Sequence, residues 1–518
     1  MIWANLLNYA VRGINEVSNL SDRIRNKKLL ARVVTPAVAA GVIKDGMNIA
    51  TSGYKKTGYP RAFFSALSDR ARRGEINDLN LWSVCLMGYE VEGVLAETGA
   101  LKRRLGSHGD PVLRKAINNN KVSCNDIRSE VLPWMVRSKL LGNLDVAIVD
   151  AVAITEEGHI IPSHSTVDIA SYIESADIVI VEIDHAIPAE MEGMHDIFLP
   201  ALPPHRKEIP LYDISQRIGT PYIIAGEDKI NYIIECQDPY PEDPEPSLSN
   251  HNTNQIADHL IEFFKFEISR NRLPGDLLPI ECGIGAIADS VLKQLTRENF
   301  KNLEFYSAGI TDGMIELTEM GRVKSASGTG LRLTAQSWSK FCNNIEKYKN
   351  KIILRPIEVI NNPEMIRRLG IIAINGAIEA DIYGNINNSH IGGTSLVNGV
   401  GGSGVFASNG YLSVFTLLST GKGGNISTIV PMVTHVDLPD HNVDVVVTEQ
   451  GLADLRGLSP IEKARAIIKE CAHPDYKPLL TDYLERAVKQ KGGHQPHILE
   501  EAFSFHLRLA QKGSMLSL

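Results

Sequence analysis

Short apolar runs alternate with amphipathic stretches along most of the chain, and this alternation predicts the fold. Leu144 to Ile154 is apolar at nearly every position, as a strand of a parallel sheet covered by helices on both faces requires. Further runs of strand length lie in the first half at residues 42–50, 80–87, 178–183 and 222–225. Helical spacing appears between these runs at residues 60–72, 112–118 and 167–175. We therefore predict a parallel sheet built from βαβ units.

The second half of the chain repeats this pattern. A long amphipathic helix is predicted from Ile256 to Ser269. Strands are predicted after it at residues 303–307, 351–354, 371–374 and 443–447. Two doubly wound open α/β sheets of similar size place an active site in the cleft between their domains.

The segment from Asp238 to Pro246 holds four prolines and four acidic residues in nine positions. Such a composition does not support regular structure and is typical of a linker. We predict an N-terminal helical arm at residues 1–32, an α/β domain at 33–237, the linker at 238–253 and a second α/β domain at 254–518.

Composition excludes several functional classes. The 518 residues carry a net charge of -8 without a basic block, which excludes nucleic acid as a partner. Six cysteines lie far apart without a Cys-x-x-Cys pair, so we expect no metal site and a reducing compartment. The longest apolar runs are strand-sized, and no signal peptide is evident at the N-terminus. We expect a cytoplasmic protein that has no membrane partner.

Two glycine-rich turns are the strongest candidates for a binding site. Asn398 to Phe406 has glycine at 399, 401, 402 and 404, and Cys282 to Ala286 has glycine at 283 and 285. Backbone without Cβ atoms can bring its amides close to a ligand. We predict that the two turns together bind an oxyanion or a thioester carbonyl.

Motifs near the C-terminus carry a family resemblance. The segment Thr448 to Pro460 begins Thr-Glu-Gln-Gly, and together with Cys471 to Tyr476 it resembles the signature of the acetyl-CoA hydrolase/transferase family. That family includes the acetate, succinate, butyrate and propionate CoA-transferases. The resemblance implies two class I CoA-transferase (NagB/RpiA-like) domains, coenzyme A bound as an acyl-CoA substrate, and a homodimer. Further matching segments lie at residues 145–157, 160–163, 217–220, 354–356, 361–364, 381–385 and 388–390.

The resemblance also identifies a missing catalytic group. Transferases of the family attack the acyl-CoA carbonyl with a glutamate in a Tyr-(Ser/Thr)-Glu-x-x-Gln block. The matching residues here, Tyr306 to Thr311, read Tyr-Ser-Ala-Gly-Ile-Thr, which puts Ala308 at the nucleophile position. A methyl group cannot form a covalent intermediate, so the route through a glutamyl thioester is closed to this sequence.

Two explanations of Ala308 remain open at this point. Either the chain is a Glu-to-Ala variant of a carboxylate CoA-transferase, or it has diverged to other chemistry. Departures from the family pattern at Gly309, Thr311 and Val405, and in the segments 105–108 and 163–168, accompany Ala308. Clustered departures of this kind favour divergence.

We predict direct attack on a CoA thioester or its β-carbonyl by water or a small carboxylate, which amounts to hydrolysis or acyl transfer. The candidates for a general base are Glu281, His164 and Asp168. A catalytically inactive sensor of CoA ligands is the alternative from a different functional class. The predicted oxyanion and CoA-binding residues are Gly283, Ile284, Gly285, Gly401, Gly402, Ser403, Gly404 and Asn388.

Overall fold

The strands of the first half form one sheet in a computed structural model, which describes residues 20–237 and 249–516. Their order is β4-β3-β2-β1-β5-β7-β8, all parallel, with β6 antiparallel on β5. The order reverses between β1 and β5, and the crevice at such a point is where open α/β sheets bind ligands. The strands are β1 (Asn48–Thr51), β2 (Leu79–Trp82), β3 (Leu101–Leu105), β4 (Ser123–Asn125), β5 (Val146–Ile154), β6 (Ile160–Pro162), β7 (Ile178–Asp184) and β8 (Tyr232–Cys236).

Helices cover both faces of this sheet. One face packs Ile49, Leu81 and Ile148 against α2, α3 and α5, and the other packs Ala147 and Val149 against α6 and α7. Every residue of β5 is consequently buried. The helices are α1 (Leu20–Arg23), α2 (Pro36–Ala40), α3 (Arg61–Arg72), α4 (Val94–Glu97), α5 (Pro111–Asn118), α6 (Leu132–Arg137) and α7 (Ile169–Ser175).

A second large sheet in the other half has the order β14-β12-β10-β9-β15-β20-β24-β25. All its pairs are parallel except β24 with β25, and the order reverses between β9 and β15. The strands of this half are β9 (Ile280–Cys282), β10 (Leu303–Tyr306), β11 (Ile310–Thr311), β12 (Val323–Gly328), β13 (Leu331–Arg332), β14 (Ile352–Leu354), β15 (Ile372–Gly376), β16 (Glu379–Asp381), β17 (Ile386–Asn387), β18 (His390–Ile391), β19 (Ser395–Leu396), β20 (Leu412–Thr416), β21 (Thr420–Gly421), β22 (Ile426–Ser427), β23 (Ile429–Val430), β24 (Val445–Thr448) and β25 (Gly451–Asp454).

The first helix of the second half is capped at its N-terminus by side chains. Asn250 and Thr253 form a capping box at the start of α8, which satisfies the backbone amides of both residues. No helix in the described ranges is long and apolar enough to cross a membrane. The helices are α8 (His251–Ser269), α9 (Ala286–Arg297), α10 (Asp312–Glu319), α11 (Ala335–Asn343), α12 (Ile345–Lys349), α13 (Ile357–Ile360), α14 (Pro363–Leu369), α15 (Ser403–Asn409), α16 (Pro460–Cys471), α17 (Lys477–Gln490) and α18 (Ser504–Lys512).

The predicted fold class is confirmed, since both halves are doubly wound α/β sheets. The predicted strand at residues 222–225 is wrong. Ile223 makes only an isolated bridge to Ile160, and Ile224 is 69% exposed, so this short apolar run lacks a partner strand. The predicted linker lies mostly outside the described residues, as do residues 1–19 of the predicted arm. The end of that arm joins the first domain, because Arg23 donates to the carbonyls of Val152 and Ile187.

A buried arginine joins the two halves. Arg355 follows β14, is fully buried, and pairs with Asp196 of the first half at 2.8 Å. Its guanidinium also donates to the carbonyls of Ile214 and Gln216, again from the first half. On its own side it donates to Ser327 of β12. The interface between the domains therefore contains a buried ion pair in addition to its apolar contacts.

We predict that Arg355→Met destabilises the protein by about 3–5 kcal/mol, because Asp196 would remain buried without its cation. The measurement is the free energy of unfolding from chemical denaturation. Arg465→Met is the matched control, since Arg465 pairs with Glu485 at the exposed surface and should change stability by less than about 0.5 kcal/mol. Equal losses in the free energy of unfolding for the two substitutions would show that Arg355 does not stabilise the domain interface.

Candidate active site

A cavity of about 380 Å³ lies between the two halves, at the points where both strand orders reverse. The first half contributes eight lining residues: Tyr54, Lys55, Val84, Cys85, Leu86, Ser107, His108 and Ser129. The second half contributes residues 281–284, 308–309, 357, 361, 375–378, 388, 398–403 and 406. Both predicted glycine turns and Ala308 thus line one space, as the sequence led us to expect.

The glycine loop at residues 398–402 is held by the first domain. Its Val400 amide donates to an Asp126 carboxylate oxygen at 2.8 Å, and its Gly401 carbonyl accepts from the Ser129 hydroxyl. A Cβ atom at Gly399 would lie 2.7 Å from the Ser107 Oγ, so this close approach requires glycine. The loop therefore takes its position only when the halves are docked.

Some backbone amides of this loop have a hydrogen-bond acceptor and others have none. The amides of Gly399, Gly401 and Gly402 donate to no acceptor in the described residues, whereas the Val400 amide donates to Asp126. Free amides that line a cavity are the donors an oxyanion requires. Asn388 and Ser403 support the loop from behind, because Asn388 donates to the Ser403 hydroxyl and Ser403 donates to the Val400 carbonyl.

The other glycine turn offers fewer donors than its composition suggests. The Gly283 amide extends the sheet by donating to the Ile374 carbonyl at 2.9 Å, so it cannot serve a ligand. Ile284 lines the cavity, and its amide has no acceptor among the described residues. Gly285 and Gly404 are outside the lining: Gly285 caps α9, and Gly404 lies in the first turn of α15.

Glu281 is the single carboxyl group among the described residues that line the cavity. It lies on β9 and is 4% exposed, and it accepts a hydrogen bond from Asn375 of β15 at 2.9 Å. Burial raises its pKa to about 8, despite the opposing effect of the Asn375 bond. Below pH 8 the side chain is therefore a neutral acid that can donate a proton or a hydrogen bond, and it becomes a base only above that pH.

Ala308 sits beside this carboxyl group, after the neighbouring strand β10. The Ser307 hydroxyl donates to the Cys282 carbonyl at 3.1 Å, which ties the turn after β9 to the segment after β10. The Ala308 carbonyl accepts from both the amide and the hydroxyl of Thr329. The backbone at Ala308 is thus held by hydrogen bonds, and the side chain it presents to the cavity is a methyl group.

Tyr54 of the first domain fills the space next to Ala308. A Cβ atom at Gly309 would lie 2.6 Å from the Tyr54 Cζ, far inside van der Waals contact. Tyr54 is 2% exposed, and burial raises the pKa of its phenol well above the usual range, so it is neutral. The departure from the family pattern at position 309 therefore has a steric reason.

Lys55 provides the cation of the cavity. It is the one Lys or Arg in the described lining, and burial lowers its pKa from the usual value. Its ammonium has no hydrogen-bond or salt-bridge partner in the described part of the chain. A positively charged group of this kind suits an anionic ligand such as a carboxylate.

The structure places His164 and Asp168 outside the cavity lining. His164 is 2% exposed and packs against the Trp338 ring at 5.2 Å, and burial lowers its pKa to about 3. Asp168 accepts from the Val84 amide and the Tyr172 hydroxyl, which gives it a supporting role behind the 84–86 loop. Of the three predicted bases, only Glu281 reaches the cavity.

Arg104 and His108 also shape the site, although neither is among the residues predicted from the sequence. Arg104 is fully buried against Glu92 and donates to the carbonyls of Cys85 and Ser107, so it fixes two lining loops at once. His108 lines the cavity itself. The departure of residues 105–108 from the family pattern was the available signal for His108, and nothing in the sequence pointed to Arg104. No group of His, Cys, Asp and Glu in the described ranges is arranged to hold a metal ion.

Comparisons relate the chain to known proteins. The models of the acetyl-CoA hydrolase/transferase N-terminal and C-terminal domains match residues 18–235 and 338–484. The chain is 44% identical to a succinyl-CoA:acetate CoA-transferase of Clostridium kluyveri, over 95% of this chain and 92% of that protein. It is 40% identical to an acetyl-CoA hydrolase of Candida glabrata, over 96% of this chain and 97% of that protein. RipA from Yersinia pestis shares the fold, with a TM-score of 0.68 and 20% identity over 87% of this chain and 96% of that chain.

We predict that Gly309→Ala destabilises the protein by about 1–3 kcal/mol, because its methyl group overlaps the Tyr54 ring. In the Tyr54→Ala background the same change should cost much less, which a double-mutant cycle on the free energy of unfolding measures. Gly376→Ala is the control, since it also lines the cavity and a Cβ there would contact nothing within 4 Å. An identical cost of Gly309→Ala in both backgrounds would contradict the contact.

Proposed function

Since the chain belongs to the acetyl-CoA hydrolase/transferase family, as its motifs indicated, we propose that it cleaves a CoA thioester by direct attack, without a covalent acyl-enzyme. The observation that carries this proposal is the cavity itself. It has free amides on both glycine loops, and it is lined by Ala308, which the sequence resemblance matches to the nucleophile of the family's transferases. The attacking group must then be water or a bound acceptor.

The free amides supply the electrostatic part of the mechanism. Attack on a thioester carbonyl moves negative charge onto its oxygen, and donors already in place stabilise that charge. The amides of Gly401, Gly402 and Ile284 are the candidates on the two loops. Removing one such donor costs on the order of 3 kcal/mol in other enzymes, so this arrangement supports catalysis without a protein nucleophile.

The neutral Glu281 carboxyl adds a further donor. A protonated acid in a buried site can hydrogen-bond to the carbonyl oxygen, and it carries no charge that would repel the developing oxyanion. A carboxylate at the same place would oppose the reaction. We therefore propose that the protonated form, which predominates below pH 8, is the active one.

Hydrolysis and transfer to a small carboxylate are both compatible with this site. The relatives named above include an acetyl-CoA hydrolase and a succinyl-CoA:acetate CoA-transferase, so both outcomes occur among similar chains. We favour hydrolysis, because a carboxylate acceptor that attacks directly would have to take the place of the missing glutamate, whereas water fits any cavity. Lys55 would hold a carboxylate of the acyl group or of an acceptor. The homodimer and the cytoplasmic location stay predictions.

We predict that no acyl-enzyme can be trapped. Incubation with acetyl-, propionyl- or butyryl-CoA should release free thiol, while hydroxylamine and borohydride should modify no glutamate, as judged by mass spectrometry of the digested protein. A family transferase that carries the glutamate is the positive control.

Two results would contradict this proposal. One is a trapped acyl or CoA adduct on Glu281, which would make that residue a relocated nucleophile. The other is a gain of at least about 100-fold in exchange between acyl-CoA and acetate on Ala308→Glu, which would show that only the nucleophile was missing. Binding of acyl-CoA without any thiol release would instead favour a sensor of CoA ligands.

We predict that activity falls as pH rises through about 8. Burial raises the Glu281 pKa, so the active protonated form is lost above that value. Glu281→Gln keeps a neutral donor and should retain activity at pH 7 within about threefold while losing this decline. Glu182→Gln is the matched control, because Glu182 is also buried and has a pKa raised to about 7 but lies outside the cavity lining. If the activity of Glu281→Gln still declines above pH 8, the decline is caused by another group.

A further inference from the structure

His108 lines the cavity with two ring nitrogens that have no hydrogen-bond partner among the described residues. The residue is only 1% exposed. A neutral imidazole has one N–H donor and one lone pair, and leaving both unpaired in a buried place costs free energy. Such a group in a native protein has a ligand, an ordered water or a catalytic role as its explanation.

The loop that carries His108 is fixed on both sides. Arg104 donates to the carbonyl of Ser107, directly before it. Glu92, the ion-pair partner of Arg104, accepts from the amides of Gly109 and Asp110, directly after it. A side chain held by a buried ion pair in this manner is pre-organised, which a catalytic group requires.

This loop also lies directly against the glycine loop. Ser107 approaches Gly399 so closely that a Cβ atom there would meet the Ser107 hydroxyl at 2.7 Å. The loop that carries His108 therefore packs directly against the glycine loop, and both loops line the cavity. No other histidine of the described chain is among the lining residues.

The electrostatic surroundings keep His108 neutral. Burial lowers its pKa to about 4, and the charges of Arg104 and Arg114 from the first domain and of His390 from the second act in the same direction. At neutral pH its lone pair is therefore free to accept a proton. Glu281, in the same cavity, has its pKa shifted the opposite way, and such a divergence marks an acid and a base.

We propose that His108 is the general base that takes a proton from the attacking water, an inference that rests on the hydrolysis proposed above. The water oxygen bonds to the thioester carbon, its proton moves to His108, and the carbonyl electrons move to the oxygen. The oxyanion then reforms the carbonyl as the carbon–sulfur bond breaks. The proton passes from His108 to the departing CoA sulfur, so a carboxylic acid and CoA thiol leave and His108 is neutral again.

The test is His108→Gln, with thiol release from acetyl-, propionyl- and butyryl-CoA as the readout. We expect kcat to fall about 10²- to 10⁴-fold, the range of a general base, while KM stays within about threefold. Imidazole added to His108→Ala should restore part of the rate. His195→Gln is the matched control, because His195 is equally buried and has its pKa lowered to about 4, yet it bonds the Ser163 carbonyl outside the lining.

The pH profile tests the neutral state of His108 that the proposed role requires. With a neutral His108 the wild-type rate should stay level from pH 7 down to pH 5, whereas an ordinary histidine base of pKa 6.5 would lose more than tenfold. NMR of ¹³C-histidine-labelled wild-type protein should show His108 untitrated above pH 5, and this measurement stands even if the variants fail to fold. A His108 titration near 6.5, or a His108→Gln rate within twofold of wild type, would overturn the inference.

Failure of this inference and failure of the proposed function are distinguishable. If wild-type protein releases thiol and His108→Gln does so equally well, the hydrolysis stands and the base is another group. If wild-type protein releases no thiol with any of the three thioesters, the proposed function fails and the role of His108 falls with it.

Discussion

A buried ion pair between Arg355 and Asp196 joins the two domains whose interface holds the cavity. Arg355 brings its charge from the second half to Asp196 and two backbone carbonyls of the first. Since neither charge can be left alone in the interior, the halves are held in one relative position. The glycine loop depends on that position, because Asp126 and Ser129 of the first domain complete its hydrogen bonds.

Burial then gives the cavity its chemical character. The same removal from water raises the pKa of Glu281 to about 8 and lowers that of His108 to about 4, because in both cases it favours the uncharged form. The resting cavity therefore holds a neutral acid and a neutral base over the physiological range. Lys55 is left as its one cationic side chain in the described lining. A site of this kind attracts an anionic substrate without placing a negative charge near the carbonyl.

The sequence predicted those parts of the molecule that local pattern encodes. The continuous apolar run of β5, the alternation of strands and helices, the two glycine turns and the place of Ala308 all follow from neighbouring residues. Glu281 was identified because it adjoins a glycine turn. The strand predicted at residues 222–225 was wrong because a strand needs a partner strand, and a short apolar segment does not show whether one is present.

Contacts between distant residues account for the rest. Whether an amide such as that of Gly283 is free depends on the strand beside it, and β15 begins about ninety residues later. His164 and Asp168 lie in a segment that departs from the family pattern, yet their side chains turn to Trp338 and Val84 rather than to the cavity. His108 lies in a loop whose position depends on hydrogen bonds from Arg104 and to Glu92. Sequence alone does not show these directions.

The contact between Tyr54 and Gly309 also constrains how such a chain can arise. A side chain at 309 and a tyrosine at 54 exclude each other, although they belong to different domains and are 255 positions apart. A branched residue at 309 can therefore occur only together with a smaller side chain at 54, since the aromatic ring occupies the space it would need. The two positions are thus expected to vary together among related chains, although they lie in different domains.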